Sequence, residues 1–169
     1  QTAIRTALDR GRASGLMDEA TGLFTRELFA AHLLRLSQSA VQCKRSLSVC
    51  VLRIIDSGEV RAARAEGWMD RALPQIGSMI GRLVRAEDTA ARIAPEVFAL
   101  ALPATALHEG RAAAERIAAV IACTAFDAGT DRPAFVAEFS LGVAQLEPGE
   151  SAASALERAA AKALHPAET

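Results

Sequence analysis

The sequence predicts an α/β fold of the α+β kind, with a central mixed sheet flanked by helices. Three observations predict it. Residues 47–55 form a nearly continuous apolar run rich in β-branched side chains, which reads as a strand buried on both faces. Residues 92–103 read as two short strands around a tight turn. Amphipathic segments of helical period lie before, between and after these strands.

Each element has its own signal. Residues 1–16 are polar and arginine-rich, with Ile4 and Leu8 four apart. They are expected to be a helical linker from an upstream domain, loosened by Gly11 and Gly15, or else a frayed terminus. The chain opens on Gln1 rather than Met, which fits a piece of a longer protein. Thr25 is the expected N-cap of a helix in which Leu28, Phe29, His32, Leu33, Leu36 and Ala40 recur at helical spacing. His32 falls on that apolar face and is expected in the core or at its boundary rather than as a ligand. Within the strand at 47–55, Arg53 is the anomaly. A charge late in a buried strand is either paired or placed at the strand's mouth beside a site.

Residues 56–67 are expected as loop or short helix. From Asp70, Leu73, Ile76, Gly77, Ile80, Leu83 and Val84 mark an amphipathic helix, with Pro74 one turn inside and tolerable only near the start. In the hairpin, Ala94-Pro95-Glu96 takes the turn, because proline pre-sets φ and has no N–H for a ladder. Val97, Phe98, Leu100 and Leu102 continue as an apolar strand that Pro103 ends. A helix at 104–124 packs through Leu107, Ala114, Ile117 and Ile121. A turn-rich loop follows at 127–133, then a strand at 135–146 with Phe139, Leu141 and Val143 alternating with Glu138, Ser140 and Gly142. A last helix at 151–164 packs through Leu156, Ala159, Ala160, Ala163 and Leu164.

With 169 residues the chain is long enough for one domain with a real core. A hydrophobic fraction of 51% against 23% charged argues against disorder. The net charge of -1 gives no bulk attraction to nucleic acid or an anionic membrane, so any phosphate site must be local. Cys43, Cys50 and Cys123 lack metal-ligand spacing and are expected as reduced cytoplasmic thiols, with Cys50 buried. No apolar run reaches the roughly 20 residues of a membrane span.

Several motifs carry a family resemblance. Asp18, Thr21-Gly22-Leu23 and Arg26 match an opening motif Asp-x-Leu-Thr-Gly-Leu-x-Asn-Arg, with Ala20 and Thr25 as departures. Phe139-Ser140-Leu141-Gly142-Val143-Ala144 resembles a Thr-x-Ser-x-Gly-Val-Ala strand, Ala114-Glu115-Arg116-Ile117 an Ala-Glu-Arg-Ile helix, and Leu156 to Leu164 a final helix. In this order they resemble the GGDEF domain, the diguanylate cyclase family, with Ala94-Pro95-Glu96-Val97-Phe98 in place of the signature. The resemblance implies a nucleotidyl cyclase-like fold with a mixed sheet of about five strands over residues 17–169.

In that family two facing domains condense two GTP into cyclic di-GMP, using two carboxylates per domain to hold divalent metal. The resemblance puts the first carboxylate at Arg53, where a cation repels magnesium. Asp56 does not replace it, since three residues along a strand reverse the face and move the group about 10 Å. Glu96 keeps the hairpin carboxylate, and Val97 replaces the second acid. Ala94 and Pro95 replace glycines that let the backbone approach the nucleotide. Gly58 stands where a lysine is usual and Arg61 where an asparagine reads guanine. Asp70 keeps the guanine-reading aspartate. His165-Pro166 replaces a Tyr and the start of a phosphate-binding stretch. The expectation is a non-catalytic domain with its magnesium site lost and no cofactor, in which Arg53, Asp70 and Glu96 are relics of the GTP site. Arg53 is expected to pair with Glu96. Trp68, in the altered loop, is expected to cover the core rather than stack on a base.

Arg85-Ala86-Glu87-Asp88 resembles the Arg-x-x-Asp of the family's product-binding inhibitory site, with Asp88 at the family's spacing of six positions before Ala94. An arginine fork suits guanine or phosphate, and an aspartate accepts from guanine N–H donors. Arg116 is a candidate second arm. A helix-end cation followed by a turn aspartate explains the same pair without a ligand. The reading is therefore a cyclic di-GMP receptor module of a bacterial signalling protein, with an upstream sensory or receiver domain and a possible homodimer. A protein-interaction or dimerisation scaffold without a nucleotide is the alternative. An active cyclase, or GTP binding without turnover, ranks behind.

Overall fold

A computed structural model describes residues 17–165; the linker expected at residues 1–16 and Pro166 lie outside them. The elements are β1 (Phe24–Thr25), α1 (Arg26–Cys43), β2 (Leu47–Ile54), α2 (Gly58–Glu66), α3 (Met69–Leu83), β3 (Thr89–Ala94), β4 (Val97–Pro103), α4 (Leu107–Ala122), β5 (Phe139–Gln145) and α5 (Ala152–Leu164). The strands form one five-stranded sheet in the order β1-β3-β4-β2-β5, with β1 parallel to β3 and every other pairing antiparallel.

β2 lies inside the sheet, between β4 and β5, because its side chains are apolar on both faces. Cys50, Leu52 and Ile54 enter one core layer with Leu73, Ile76 and Ile80 of α3 and Ile117 and Ile121 of α4. Leu47, Val49 and Val51 enter the other with Phe29 and Leu33 of α1 and Ala152, Ala155, Ala159 and Ala163 of α5. That alanine face lets α5 lie close on β5. A Cβ on Gly142 would stand 1.8 Å from the Ala159 carbonyl oxygen. Gly77 serves the same purpose on α3, where a Cβ would meet Thr21 at 2.4 Å.

Local capping fixes the boundaries. The Thr25 hydroxyl accepts from Leu28 N–H at 3.4 Å, as expected of an N-cap. The segment at 56–67 is a short helix, capped by the Ser57 hydroxyl on Val60 N–H at 3.1 Å and ended by Gly67 at φ 82°. The strand expected at 135–146 starts only at Phe139. Its partner β2 turns away after Ile54, and Ile55 N–H makes the last bond, to Glu138, at 2.8 Å. Phe135 pairs instead with Phe126 in an isolated bridge, and both are buried. Gln75 of α3 pins this loop by bonding both backbone groups of Asp127, at 2.7 and 3.0 Å. Among the described residues no helix is long and apolar enough to cross a membrane.

Candidate functional site

The hairpin turn and the end of β2 form the first candidate region. Arg53 lies opposite Val97 and is exposed, and Ile54 N–H donates to the Glu96 carbonyl at 3.0 Å. These residues, with Asp56, Arg64, Ala94 and Pro95, line a cleft of about 320 Å³. The Glu96 carboxylate is gripped by Arg64, which donates from Nε to Oε2 at 2.8 Å and from Nη2 to Oε1 at 2.6 Å. Arg64 Nη2 also lies 3.5 Å from Asp56, and Arg61 lies 3.6 Å from the other Asp56 oxygen. Hydrogen bonding to Glu96 raises the Arg64 pKa above its ordinary value.

The partner of Glu96 is therefore Arg64, not Arg53. Strand alternation puts Arg53 on the face shared by Val49 and Val51. Helix α2 packs through Val60 and Ala63 into the opposite layer and carries Arg64 over the turn. Among the described residues Arg53 has no ion-pair partner, and no three His, Cys, Asp or Glu side chains converge on a point that would hold a metal. Asp70 is exposed in the first turn of α3. His165 caps the C-terminus of α5. Trp68 is partly buried, edge-on to Phe135 at 6.0 Å, and covers the core as expected.

A second network, joining residues distant in the chain, fixes the turn. Asp18 Oδ2 accepts from Thr21 N–H at 3.0 Å and from its hydroxyl at 2.6 Å. Arg92 Nη1 lies 3.3 Å from Asp18, while its Nε and Nη2 donate to the Pro95 carbonyl at 3.0 and 2.8 Å. Burial pushes the Asp18 carboxyl up, but the Thr21 bonds and the Arg92 charge outweigh it and hold the pKa below the usual value. The opening motif is thereby tied to the hairpin. The signal was present in Asp18 and Arg92, but they stand 74 positions apart.

The third region is the Arg85–Asp88 turn between α3 and β3. Asp88 Oδ2 accepts from the Arg85 backbone N–H at 3.0 Å and from its Nε at 3.1 Å, and Oδ1 accepts from Nη2 at 3.1 Å. Arg85 Nη2 also donates to the Thr105 hydroxyl at 2.8 Å. The Asp88 side chain is only 4% exposed, whereas that of Arg85 is 50% exposed. The carboxylate thus faces inward and holds an arginine that faces out. Hydrogen bonding to Asp88 raises the Arg85 pKa, and the charges of Asp88, of Glu87, whose Oε1 lies 3.3 Å from Arg85 Nε, and of Glu109 of α4 add to it. Arg116 is exposed on α4, seven residues after Glu109, hence on the same face about 10 Å along the axis.

The comparisons with known proteins agree with this architecture. The sequence model described as diguanylate cyclase, GGDEF domain, matches residues 15–169. The diguanylate cyclase DgcP of Pseudomonas aeruginosa is 29% identical over 160 residues, which are 93% of this chain but 23% of that protein. The chain thus spans about a quarter of that relative's length. Among solved structures, the GGDEF domain of DgcB from Caulobacter crescentus in complex with c-di-GMP superposes with a TM-score of 0.81 at 24% identity, covering 90% of each chain. The FimX GGDEF domain of Pseudomonas aeruginosa gives 0.80 at 22% identity, covering 90% of this chain and 94% of that one. The cyclase SiaD of Pseudomonas aeruginosa, solved with its activator SiaC, gives 0.82 at 24% identity, over 99% and 64%. With the family model matched over residues 15–169 and the fold shared, this chain belongs to the GGDEF domain family.

Proposed function

We propose that this domain makes no cyclic di-GMP and serves a signalling protein as a cyclic di-GMP receptor, gripping the ligand through Arg85. The observation that carries the loss of catalysis is the two-pronged hold of Arg64 on Glu96. In the family two carboxylates gather divalent metal to neutralise phosphoryl charge. Here both oxygens of the remaining hairpin carboxylate already bond a guanidinium, and a second guanidinium, Arg53, lines the same cleft. These residues do not fit a divalent cation. Pro95 and Ala94 stiffen and fill a turn that must let a nucleotide come close.

The ligand half of the proposal rests on Arg85. Its Nε and Nη2 are fixed by Asp88 and Thr105, with Glu87 Oε1 3.3 Å from Nε, while Nη1 makes no protein hydrogen bond among the described residues. A half-exposed, oriented guanidinium is ready to bind a phosphate oxygen or the O6/N7 edge of guanine. Asp88 acts as a positioning residue, being buried behind the arginine. Arg116 is the second arm. That DgcB was solved with c-di-GMP supports this ligand class.

Calorimetric titration with cyclic di-GMP tests the proposal. Binding that disappears in Arg85→Ala and weakens in Arg116→Ala is expected. No heat at high ligand concentration would overturn the receptor and leave a domain used for contacts with other proteins or a second copy.

A further inference from the structure

The end strand β5 leaves one edge outside the sheet, and that edge is only partly closed. Leu146 N–H bonds the Leu47 carbonyl and Ile55 N–H bonds the Glu138 carbonyl, so the even-numbered residues of β5 face the β2 ladder. The backbone groups of Leu141, Val143 and Gln145 therefore point away from the sheet. At one end the edge is sealed. Arg158 donates to the Gln145 carbonyl at 2.7 Å and is itself locked by two 2.7 Å bonds to Glu150. One step along, Lys162 Nζ donates to the Val143 carbonyl at 3.1 Å. Beyond that the N–H groups of Val143 and Leu141 and the carbonyl of Leu141 have no protein partner among the described residues.

This unpaired stretch, where Leu141 is partly exposed and Val143 only 4% exposed, is the floor of a cleft of about 270 Å³ between α4 and α5, lined by Arg111, Glu115, Leu141, Gly142, Val143 and Lys162. Neither Arg111 nor Glu115 has an ion-pair partner among the described residues, so the walls carry two cations against one anion. A small anion would use the donors but leave the Leu141 carbonyl unmet. An extended backbone supplies both a donor and acceptors at the two-residue repeat of the edge.

We propose that this cleft binds an extended, acidic peptide segment of a partner protein. The segment adds as a strand beside Leu141 and Val143, with carboxylate side chains on its two faces, one toward Lys162 of α5 and one toward Arg111 of α4. Single cations commonly guard sheet edges against pairing, and Arg158 does so here. Lys162 instead stands at the boundary of the open part, where one of its three donors is spent on Val143. This proposal does not depend on the nucleotide reading, and cyclic di-GMP affinity is untouched by its failure.

The test uses the full chain and two short labelled peptides, one with adjacent glutamates between valines, so that both faces of the strand carry a carboxylate, and the other with lysines in their place, followed by fluorescence anisotropy. The glutamate peptide is expected to bind, and the lysine peptide is not. Lys162→Glu is expected to weaken binding at least about tenfold, because charge reversal places like charges together. Arg111→Glu, on the exposed face of α4, gives an independent second loss. A glutamate peptide N-methylated at alternate residues keeps its charge but is expected to lose binding. Amide exchange at Leu141 and Val143 is expected to slow when the unmodified peptide is bound. Failure of the glutamate peptide to bind at millimolar concentration overturns the proposal. So does binding indifferent to both charge reversals or to N-methylation, or protection that appears elsewhere.

Discussion

Replacing Asp88 by alanine separates a residue that touches the ligand from one that aims another residue. Asp88 accepts three bonds from Arg85, and its side chain is 4% exposed. Hydrogen bonds to a charged group contribute about 1.5–3 kcal/mol when buried, but a half-exposed arginine lowers this toward the surface-pair range. A loss of about 1–2 kcal/mol follows, equivalent to a fall of about 3–6 °C in Tm for a domain of this size. The ligand effect is separate. An arginine released from its clamp must be re-ordered on binding, at a cost of about 1.5–2 kcal/mol of rotamer freedom. At about 1.4 kcal/mol per tenfold, cyclic di-GMP affinity is expected to fall about 10- to 30-fold in Asp88→Ala. Arg85→Ala, which removes the grip itself, is expected to abolish binding. Titration calorimetry beside thermal denaturation reads both quantities. Unchanged affinity with a lowered Tm would refute the positioning role. Loss of all binding with no change in Tm would show that Asp88 meets the ligand directly.

Three further outcomes are expected. Gly142→Ala forces a Cβ to within 1.8 Å of the Ala159 carbonyl and 2.5 Å of the Ala163 N–H, so it should destabilise by at least about 1–3 kcal/mol in chemical denaturation; a wild-type midpoint would contradict the packing of α5 on β5. Glu150 is held down to about 2, chiefly by hydrogen bonds from Arg158, against an ordinary value of 4.5. The folded state then binds fewer protons than the unfolded one, so this stabilisation is full above pH 4.5 and is lost as pH falls toward 2. Glu150→Gln should flatten that acid limb of the stability profile, and an unaltered limb would show the pair to be idle. Burial, with a contribution from the Asp88 charge, pushes the Cys50 thiol up to about 12, while Cys43 and Cys123 are exposed. Iodoacetamide at mildly alkaline pH should label Cys43 and Cys123 in the native protein and reach Cys50 only after unfolding; native labelling of Cys50, read by peptide mass spectrometry, would be inconsistent with its burial.

What was legible in the sequence followed from local chemistry. The period-two and period-3.6 patterns placed β2, the hairpin, α3, α4 and α5, because each buries a face whose spacing is written in consecutive residues. The Thr25 cap was legible for the same reason. The start of β5 was not, since Phe135 and Ala137 are apolar whether they pair or only pack, and what ends the ladder is the turn of another strand after Ile54. In the site, Glu96, Arg53 and the Arg85–Asp88 turn were visible as residue types in register. The partner of Glu96 was not. Choosing Arg64 over Arg53 requires knowing that α2 packs on the opposite sheet face from Arg53, and residues 56–67 read equally as loop or helix. The Asp18–Arg92–Pro95 tie was hidden for a related reason, because it joins two motifs distant in the chain. The burial of Asp88 was also invisible, since a turn aspartate looks the same from the sequence whether it faces solvent or the protein.

Incubation of the domain with GTP and magnesium or manganese, with nucleotides separated by chromatography, reads directly whether the hairpin still supports turnover. The geometry of Arg64, Arg53 and Glu96 predicts unchanged GTP and no cyclic di-GMP at any enzyme concentration. Product accumulating in proportion to the domain added would mean that Glu96 releases its guanidinium and gathers metal, so that the Arg64 grip does not block catalysis.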